Sequence, residues 1–194
     1  MKAFPRYLDR IASVNGLSPD TGGTGDTGID WLFYPGMLQD SPDKWWADFG
    51  RRHAVHEGID ICFYRDNNQI AALPPGSRVP AMFDGTLLNV ADDLLGRTMV
   101  ISYTPPGFPL SGFGGKNLVM VYSHLDVDRD LVPGTGISRD RIIGRTFDTR
   151  TKKSKLLSHI HLSCMIVPET PHEDLNWSLF PDRKQVEYIN PVFL

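Results

Sequence analysis

Two short motifs hold most of the side chains with which this chain of 194 residues could do chemistry. The first is His56-Glu57-Gly58-Ile59-Asp60, and the second is His159-Ile160-His161, about a hundred residues later. Catalytic zinc sites use three imidazole or carboxylate ligands and keep one position open. The two motifs offer four candidate ligands. The residues alone therefore allow either a closed four-ligand structural site or an open three-ligand site with a spare histidine.

The spacing of His56 and Asp60 fits two local structures. On a helix these positions share one face at about 6 Å, whereas on a regular strand they are about 13 Å apart, so that a strand has to bend. Gly58 lies between them and permits a kink or bulge at little steric cost. Ile59 and Ile61 are β-branched and favour a strand. The sequence therefore predicts a bent strand with both ligands on its concave side.

For three histidines, spacing alone does not decide whether the ring binds a metal. His159 and His161 are two residues apart, so on a strand both rings point to one face at about 6.6 Å, and either can bind a metal. His124 ends an apolar run, in Tyr-Ser-His-Leu. A lone histidine is commonly a hydrogen-bonded core or surface residue. The residues alone leave open which of these rings binds a metal.

Short β-rich runs separated by turn signals have to position the motifs. We predict a helix over residues 5–14, a loop over 18–28 and strands over 78–81, 85–90, 98–103, 117–123, 141–143 and 160–167. Asp84-Gly85 is a hairpin dipeptide between the first two of these strands. Strands at this spacing indicate an antiparallel, mainly β domain. We expect residues 1–30 to form an N-terminal arm and linker, and residues 31–194 to form one domain.

Composition excludes several classes of function. With 41% hydrophobic and 22% charged residues the chain is typical of a globular protein, and no run is apolar enough for a membrane span or a signal peptide. A net charge of -3 argues against non-specific nucleic-acid binding. Cys62 and Cys164 form no CxxC pair, so we expect two buried thiols. A monomer is expected.

An ordered set of motifs carries a family resemblance over roughly residues 31–194. The set comprises Phe49-Gly50-Arg51 before the first histidine motif, Val79-Pro80-Ala81, Asp84-Gly85-Thr86, Tyr122-Ser123-His124-Leu125, Ile143-Gly144, His159-Ile160-His161-Leu162 and Ile189-Asn190-Pro191. In this order the motifs resemble the M23 family of zinc metallopeptidases, the LytM or lysostaphin-like peptidoglycan endopeptidases.

The resemblance implies a fold, a cofactor and a role for each site residue. The implied fold is an antiparallel β-sheet domain of the LytM/lysostaphin-like (duplicated hybrid motif) type. His56, Asp60 and His161 would bind Zn²⁺, while His124 and His159 would be the two catalytic histidines. The implied activity is hydrolysis of peptide bonds in peptidoglycan stems or cross-bridges through a metal-activated water. The substrate implies a periplasmic or extracellular location, although no leader is visible.

Two other functions remain compatible with the sequence. One is a non-catalytic M23-like regulator that binds a cell-wall hydrolase or peptidoglycan, and the other is a metallohydrolase that cleaves an unrelated amide. Residues 145–158 depart from the family pattern because they are basic and lack glycine. We interpret them as either a solvated loop or a wall of the substrate groove, and the 104–116 loop as a second wall or lid.

For several other side chains near the motifs we expect no direct role in the site. Trp45 and Trp46 are expected to pack in the core rather than line a substrate groove. Glu57 is expected to be exposed and not to act as a general base. His53 is expected on the surface and His172 in a loop.

Overall fold

The described residues form one α-helix, twelve strands and several short 3₁₀ helices. A computed structural model describes residues 2–17, 29–66, 68–104, 115–151 and 155–194. The elements are α1 (Ala3–Val14), β1 (Trp31–Leu32), β2 (Ile59–Ile61), β3 (Phe63–Asp66), β4 (Gln69–Ala72), β5 (Arg78–Pro80), β6 (Gly85–Asp93), β7 (Gly96–Tyr103), β8 (Lys116–Val127), β9 (Gly136–Ile137), β10 (Ile142–Thr146), β11 (Ile160–Pro168) and β12 (Glu187–Ile189). Short 3₁₀ helices cover Pro35–Met37, Thr149–Thr151, His172–Asp174 and Pro191–Phe193.

A large antiparallel sheet dominates the structure. Its strands follow the order β12-β11-β8-β7-β6-β9, with β2 paired to β11 and β10 paired to β5 and β8. A smaller sheet has the order β1-β3-β4. The mainly β, antiparallel fold with a helix at the N-terminus, expected from the sequence, is confirmed. None of the described helices has the length and apolarity that a membrane-spanning helix requires.

The centre of the large sheet is buried on both faces. Along β11, alternate side chains enter two hydrophobic clusters, because successive residues of a strand point to opposite faces. Leu162 and Cys164 join the cluster that also contains Tyr7 and Ile11 of α1. Met165 joins the other cluster, which the C-terminal segment covers with Leu175, Phe180 and Val186. This two-sided burial explains why the sequence of β11 is an almost continuous apolar run.

The position of β11 between β8 and β2 brings the predicted motifs together. Its pairing with β2 places Asp60 opposite His161, and its pairing with β8 places Ser123 opposite the same His161. Residues from three distant parts of the chain therefore meet at one end of the sheet.

The strand predictions were correct in type and less accurate in extent. The helix begins at Ala3, β6 continues to Asp93, and β8 runs from Lys116 to Val127. Lys116 was therefore wrongly placed in the preceding loop. Residues 105–114 of that loop and the whole 18–28 loop lie outside the described residues. The predicted division into a 1–30 arm and a 31–194 domain stays a prediction.

The predicted hairpin at Asp84-Gly85 is wrong. Strand β5 pairs with β10, whereas β6 pairs with β7 and β9. The side chain of Asp84 instead accepts a hydrogen bond from the backbone N–H of Arg139 at 2.8 Å. A hairpin dipeptide specifies a local turn, and here contacts with more distant strands determine the pairing.

Residues 152–154 of the basic segment 145–158 lie outside the described residues, and the described part of the segment is not a simple solvated loop. Its first two residues, Arg145 and Thr146, belong to β10, and a 3₁₀ helix follows at Thr149–Thr151. Thr146, Thr149 and Ser158 are buried. The buried ends of this segment fix it to the sheet next to the histidine motif.

Candidate metal centre

Three donor atoms converge where β2, β11 and the segment before β2 meet. Oδ1 of Asp60 lies 3.1 Å from Nε2 of His56 and 2.8 Å from Nδ1 of His161. The two imidazole nitrogens are 3.0 Å apart. All three side chains are buried. This group has the donor types and the closeness that a zinc site with three protein ligands requires.

The hydrogen bonds of the outer ring nitrogens support a cation at this point. Nδ1 of His56 lies 3.1 Å from the carbonyl oxygen of Leu38, an acceptor, so Nδ1 carries the proton of the neutral ring. The lone pair on Nε2 then faces the carboxylate oxygen of Asp60, which is also an acceptor. Two acceptors at this distance repel each other unless a cation or a proton lies between them. The residues present therefore fit a metal ion.

His161 has a matching outer contact. Its Nε2 lies 3.0 Å from Oγ of Ser163, a hydroxyl that can accept the ring N–H. Nδ1 is then the nitrogen left with a lone pair, on the side of Asp60. Hydrogen bonds of this kind fix the tautomer and orientation of metal-binding histidines.

The second oxygen of Asp60 is held away from the donor group. Oδ2 accepts a hydrogen bond from Nε1 of Trp45 at 2.6 Å and another from Arg52 at 3.4 Å. Burial raises the pKa of Asp60, but the imidazoles of His56, His159 and His161 around the carboxylate lower it by more and hold the pKa well below its ordinary value. Asp60 is therefore an oriented, ionised carboxylate.

The segment that carries His56 and Asp60 differs from the predicted bent strand. Asp60 lies on β2, which begins at Ile59, whereas His56 lies in an irregular stretch before it. A Cβ atom at Gly58 would lie 2.3 Å from the carbonyl oxygen of Leu162. Glycine is thus required because the chain crosses very close to β11. The bend is real, but a strand over residues 56–60 is wrong.

His159 lies beside the donor group, immediately before β11. Its Nδ1 lies 2.8 Å from the carbonyl oxygen of Leu157, so this nitrogen carries the proton. Its Nε2 lies 3.6 Å from Oδ1 of Asp60. Burial lowers the pKa of His159 to about 3, although the charge of Asp60 opposes the shift. The ring is therefore neutral at ordinary pH, with the lone pair of Nε2 on the side of the donor group.

His124 completes the set of predicted residues. Its ring centroid lies 4.9 Å from that of His159 and 5.8 Å from that of His161. Its Nδ1 lies 2.8 Å from Oδ2 of Asp93. The five residues that the motifs single out therefore lie in one place, although the sequence separates them into three groups.

Asp93 is half-buried, with a side chain that is 6% exposed, and it is ionised. Burial raises its pKa, but the hydrogen bond and charge of His124 and the hydroxyl of Thr98 lower it by more, so that the pKa lies below its ordinary value. No feature of the sequence pointed to this residue, because its partner His124 is 31 positions away.

The remaining candidates take no direct part in the donor group. His53 is exposed, as expected. His172 is exposed but begins a short 3₁₀ helix rather than lying in a loop, and Glu57 is half-buried rather than exposed. Cys62 and Cys164 are free and buried, as expected, and burial raises the pKa of each thiol to about 12.

Trp45 has a role that the sequence did not indicate. It is buried in a small cluster with Met37 and Cys62, so the expectation of core packing is met. Its indole N–H also orients Asp60, as described above. Trp46 packs at the edge of the same cluster, and the guanidinium of Arg52 lies 4.5 Å from its ring centroid.

Comparison with known proteins gives distant structural likenesses and no sequence match. No protein-family model matches the chain, and no curated protein matches it. Solved structures that resemble it include LytU (TM-score 0.47, 16% identity, covering 87% of this chain and 99% of that one). Another is the catalytic domain of the prophage-encoded M23 protein EnpA from Enterococcus faecalis (TM-score 0.44, 17% identity, 84% and 95% covered).

A third similar structure is that of lysostaphin, determined by NMR (TM-score 0.43, 14% identity, 73% of this chain covered). The chain spans only 44% of the length of that lysostaphin chain.

Proposed function

We propose that this protein is an M23-like, zinc-dependent endopeptidase that hydrolyses peptide bonds in peptidoglycan stems or cross-bridges. The observation that carries the proposal is the convergence of His56, Asp60 and His161 on one point, with the rings of His124 and His159 beside it. The substrate class comes from the resemblance of the ordered motifs.

The donor set suits zinc, which would be held by Nε2 of His56, Oδ1 of Asp60 and Nδ1 of His161. When bound in such a site, zinc supplies a Lewis acid that lowers the pKa of a water and polarises a carbonyl group. The side chains of Trp45 and Arg52 engage the other oxygen of Asp60, so that the carboxylate would offer a single oxygen to the ion.

His159 is proposed as a group that accepts a proton. Because its Nδ1–H donates to the carbonyl of Leu157, the free lone pair is on Nε2, the nitrogen nearer to Asp60. Burial keeps the ring neutral, and a neutral ring is the form that can take a proton from an attacking water.

His124 is proposed as the second catalytic histidine. A ring whose Nδ1 contacts the carboxylate of Asp93 is suited to hold a positive charge, because the carboxylate compensates it. A charged imidazole can stabilise a developing oxyanion or protonate a leaving amine.

Digestion of isolated peptidoglycan tests the proposal, with and without a chelator and with mass spectrometry of the new amino termini. We expect cleavage that is lost with the chelator and restored by zinc. His124→Ala and His159→Ala should each lose about 10²- to 10⁴-fold in rate while keeping zinc, whereas His161→Ala should lose the zinc as well.

His172 provides a matched control, because His172→Ala removes an exposed imidazole that is not part of the donor group and should leave both zinc content and rate unchanged. Normal turnover in His124→Ala and His159→Ala would overturn the catalytic assignment. A protein that binds zinc and peptidoglycan but cleaves nothing would instead be the non-catalytic regulator.

The same resemblance leads to proposals about the setting of the protein. We propose that it acts as a monomer on the cell wall, in the periplasm or outside the cell, and that residues 31–194 form the peptidase domain behind an N-terminal arm. Fractionation of the producing cells and light scattering of the purified chain would test these points.

A further inference from the structure

Asp93, the last residue of β6, contacts His124 at two atoms. Its Oδ2 lies 2.8 Å from Nδ1 of the ring, a close contact whose angles do not make a hydrogen bond, and it accepts a hydrogen bond from the backbone N–H of His124 at 3.1 Å. The side chain of Asp93 is only 6% exposed. One buried carboxylate oxygen therefore fixes both the ring and the backbone of His124.

The contact determines the tautomer of the ring. An ionised carboxylate only accepts hydrogen bonds, so the nitrogen that faces it carries a proton. In the neutral ring of His124 the proton is therefore on Nδ1 and the lone pair is on Nε2. Without the carboxylate, nothing described around His124 would impose this choice.

The backbone of His124 also needs support. Its φ angle is 64°, in the left-handed region that side chains other than glycine rarely adopt. Strained residues of this kind persist only where surrounding contacts hold them. The hydrogen bond from the backbone N–H of His124 to Asp93 is such a contact.

Asp93 is itself held by a buried network. Oγ1 of Thr98 donates to Oδ2 of Asp93 at 3.0 Å and accepts a hydrogen bond from Nε1 of Trp177 at 2.8 Å. The same Oγ1 lies 2.8 Å from Oγ of Ser123, the residue before His124. The network joins β6, β7, β8 and the C-terminal segment around one carboxylate.

We propose that Asp93 is a positioning residue for His124, which keeps the proton on Nδ1 and holds the ring beside the proposed metal centre. The inference about catalysis rests on the proposed function. The proposed tautomer and orientation of the His124 ring do not depend on the proposed function.

Two substitutions and one matched control test the proposal in the full-length, zinc-loaded chain. Asp93→Ala removes the acceptor, and Asp93→Asn keeps the size of the side chain while removing its charge. Asp92→Ala is the control, because Asp92 precedes Asp93 on β6 but has a 98% exposed side chain, which forms an ion pair with Arg97 at 3.8 Å.

The first readout is the tautomer of His124 in ¹⁵N NMR spectra of histidine-labelled protein, assigned by comparison with His124→Ala. The second is the kinetics of peptide hydrolysis. We expect the Nδ1–H signature in the wild type and in Asp92→Ala, and its loss in Asp93→Ala. We also expect kcat to fall about 10- to 100-fold with KM and zinc content unchanged, the range found when outer partners that orient the side chains of a metal site are removed.

Several outcomes would overturn the proposal. They are an Asp93→Ala protein with the wild-type tautomer, a loss confined to KM, or an equal loss in Asp92→Ala. If Asp93→Ala does not fold, Asp93→Asn decides, since it should lower kcat without unfolding the protein. A wild type that cleaves nothing would refute the proposed function, while the NMR comparison would still decide the role of Asp93.

Discussion

At the scale of single residues, the two carboxylate oxygens of Asp60 have separate partners. Oδ1 faces the two imidazoles of the donor group, whereas Oδ2 accepts the indole N–H of Trp45 at 2.6 Å. Because a carboxylate rotates freely when unconstrained, this bond determines which oxygen is presented to a metal. Trp45 therefore serves the site as well as the core.

We predict that Trp45→Phe weakens zinc binding by about 10- to 100-fold, the range seen when a partner of a metal ligand is removed. Phenylalanine keeps an aromatic ring in the cluster but cannot donate to Asp60. Zinc affinity would be measured by competition with a chromogenic chelator. Trp46→Phe is the control, because the ring of Trp46 lies next to that of Trp45 but forms no hydrogen bond with the donor group in the part of the chain that the structure describes. Equal affinities in the two variants would refute the role of the indole N–H.

The residue types at the donor group were predictable, but their partners were not. Histidine and aspartate at metal-binding spacing are visible in the sequence, because ligand chemistry restricts the choice of residue. Trp45, Arg52 and Asp93 act through contacts that form only when separate segments pack together. A single sequence contains no pattern for such contacts.

At the scale of elements, the closeness of β2 to β11 determines the donor group. The pairing places Asp60 directly opposite His161. Just before β2, the backbone at Gly58 passes so near to β11 that an added Cβ would lie 2.3 Å from the carbonyl of Leu162 and 2.4 Å from Oγ of Ser163. Ser163 is the partner of His161, so any displacement here affects two ligands.

We predict that Gly58→Ala destabilises the protein by about 1–3 kcal/mol, the usual cost of overpacking, and also lowers its zinc content. The added methyl group has to push β2 away from β11, which separates Asp60 from His161. Chemical denaturation and metal analysis would measure the two effects. Gly136→Ala is the matched control on β9, where no atom lies within 4 Å of the added Cβ. A Gly58→Ala protein with normal stability and zinc content would show that the crossing is not tight.

Element types were more predictable than their partners. The alternation and β-branched residues of β6, β7, β8 and β11 identified strands, since side-chain period is a local property. The partner of β5 was missed because the Asp84-Gly85 dipeptide favours a hairpin, while β10, more than sixty residues later, supplies the actual pairing. Long-range pairing is decided by burial, which a local pattern does not contain.

At the scale of the whole molecule, α1 and the large sheet share one core. Phe4, Tyr7 and Ile11 of the helix belong to the same hydrophobic cluster as Leu162 and Cys164 of β11. The sequence predicted the helix but not this packing, since an amphipathic helix does not specify the surface that it covers. Buried groups at the centre of this core therefore report on unfolding of the helix and sheet together.

Cys164 is such a reporter, because it is fully buried and burial raises the pKa of its thiol to about 12. At neutral pH the folded protein should react slowly with a thiol reagent at both cysteines, and rapidly once unfolded, since only the exposed thiolate is nucleophilic. Because the pKa of this thiol is raised in the folded state, the free energy of unfolding depends on pH in a defined direction. As the pH rises, the thiol of the unfolded chain loses its proton before that of the folded chain. The contribution of the thiol to the free energy of unfolding is therefore fully present below pH 9 and is lost as the pH rises from about 9 towards about 12.

We therefore predict that the free energy of unfolding falls more steeply over this alkaline range in the wild type than in Cys164→Ala. Denaturant titrations at several pH values would measure the slopes, and comparing slopes removes the constant cost of the cavity that alanine leaves. Cys62→Ala is a second test, because burial and the nearby charge of Asp60 raise the pKa of its thiol to about 12 as well. Parallel slopes in all three proteins, or rapid labelling of the folded chain, would show that the sheet opens around these thiols before it unfolds.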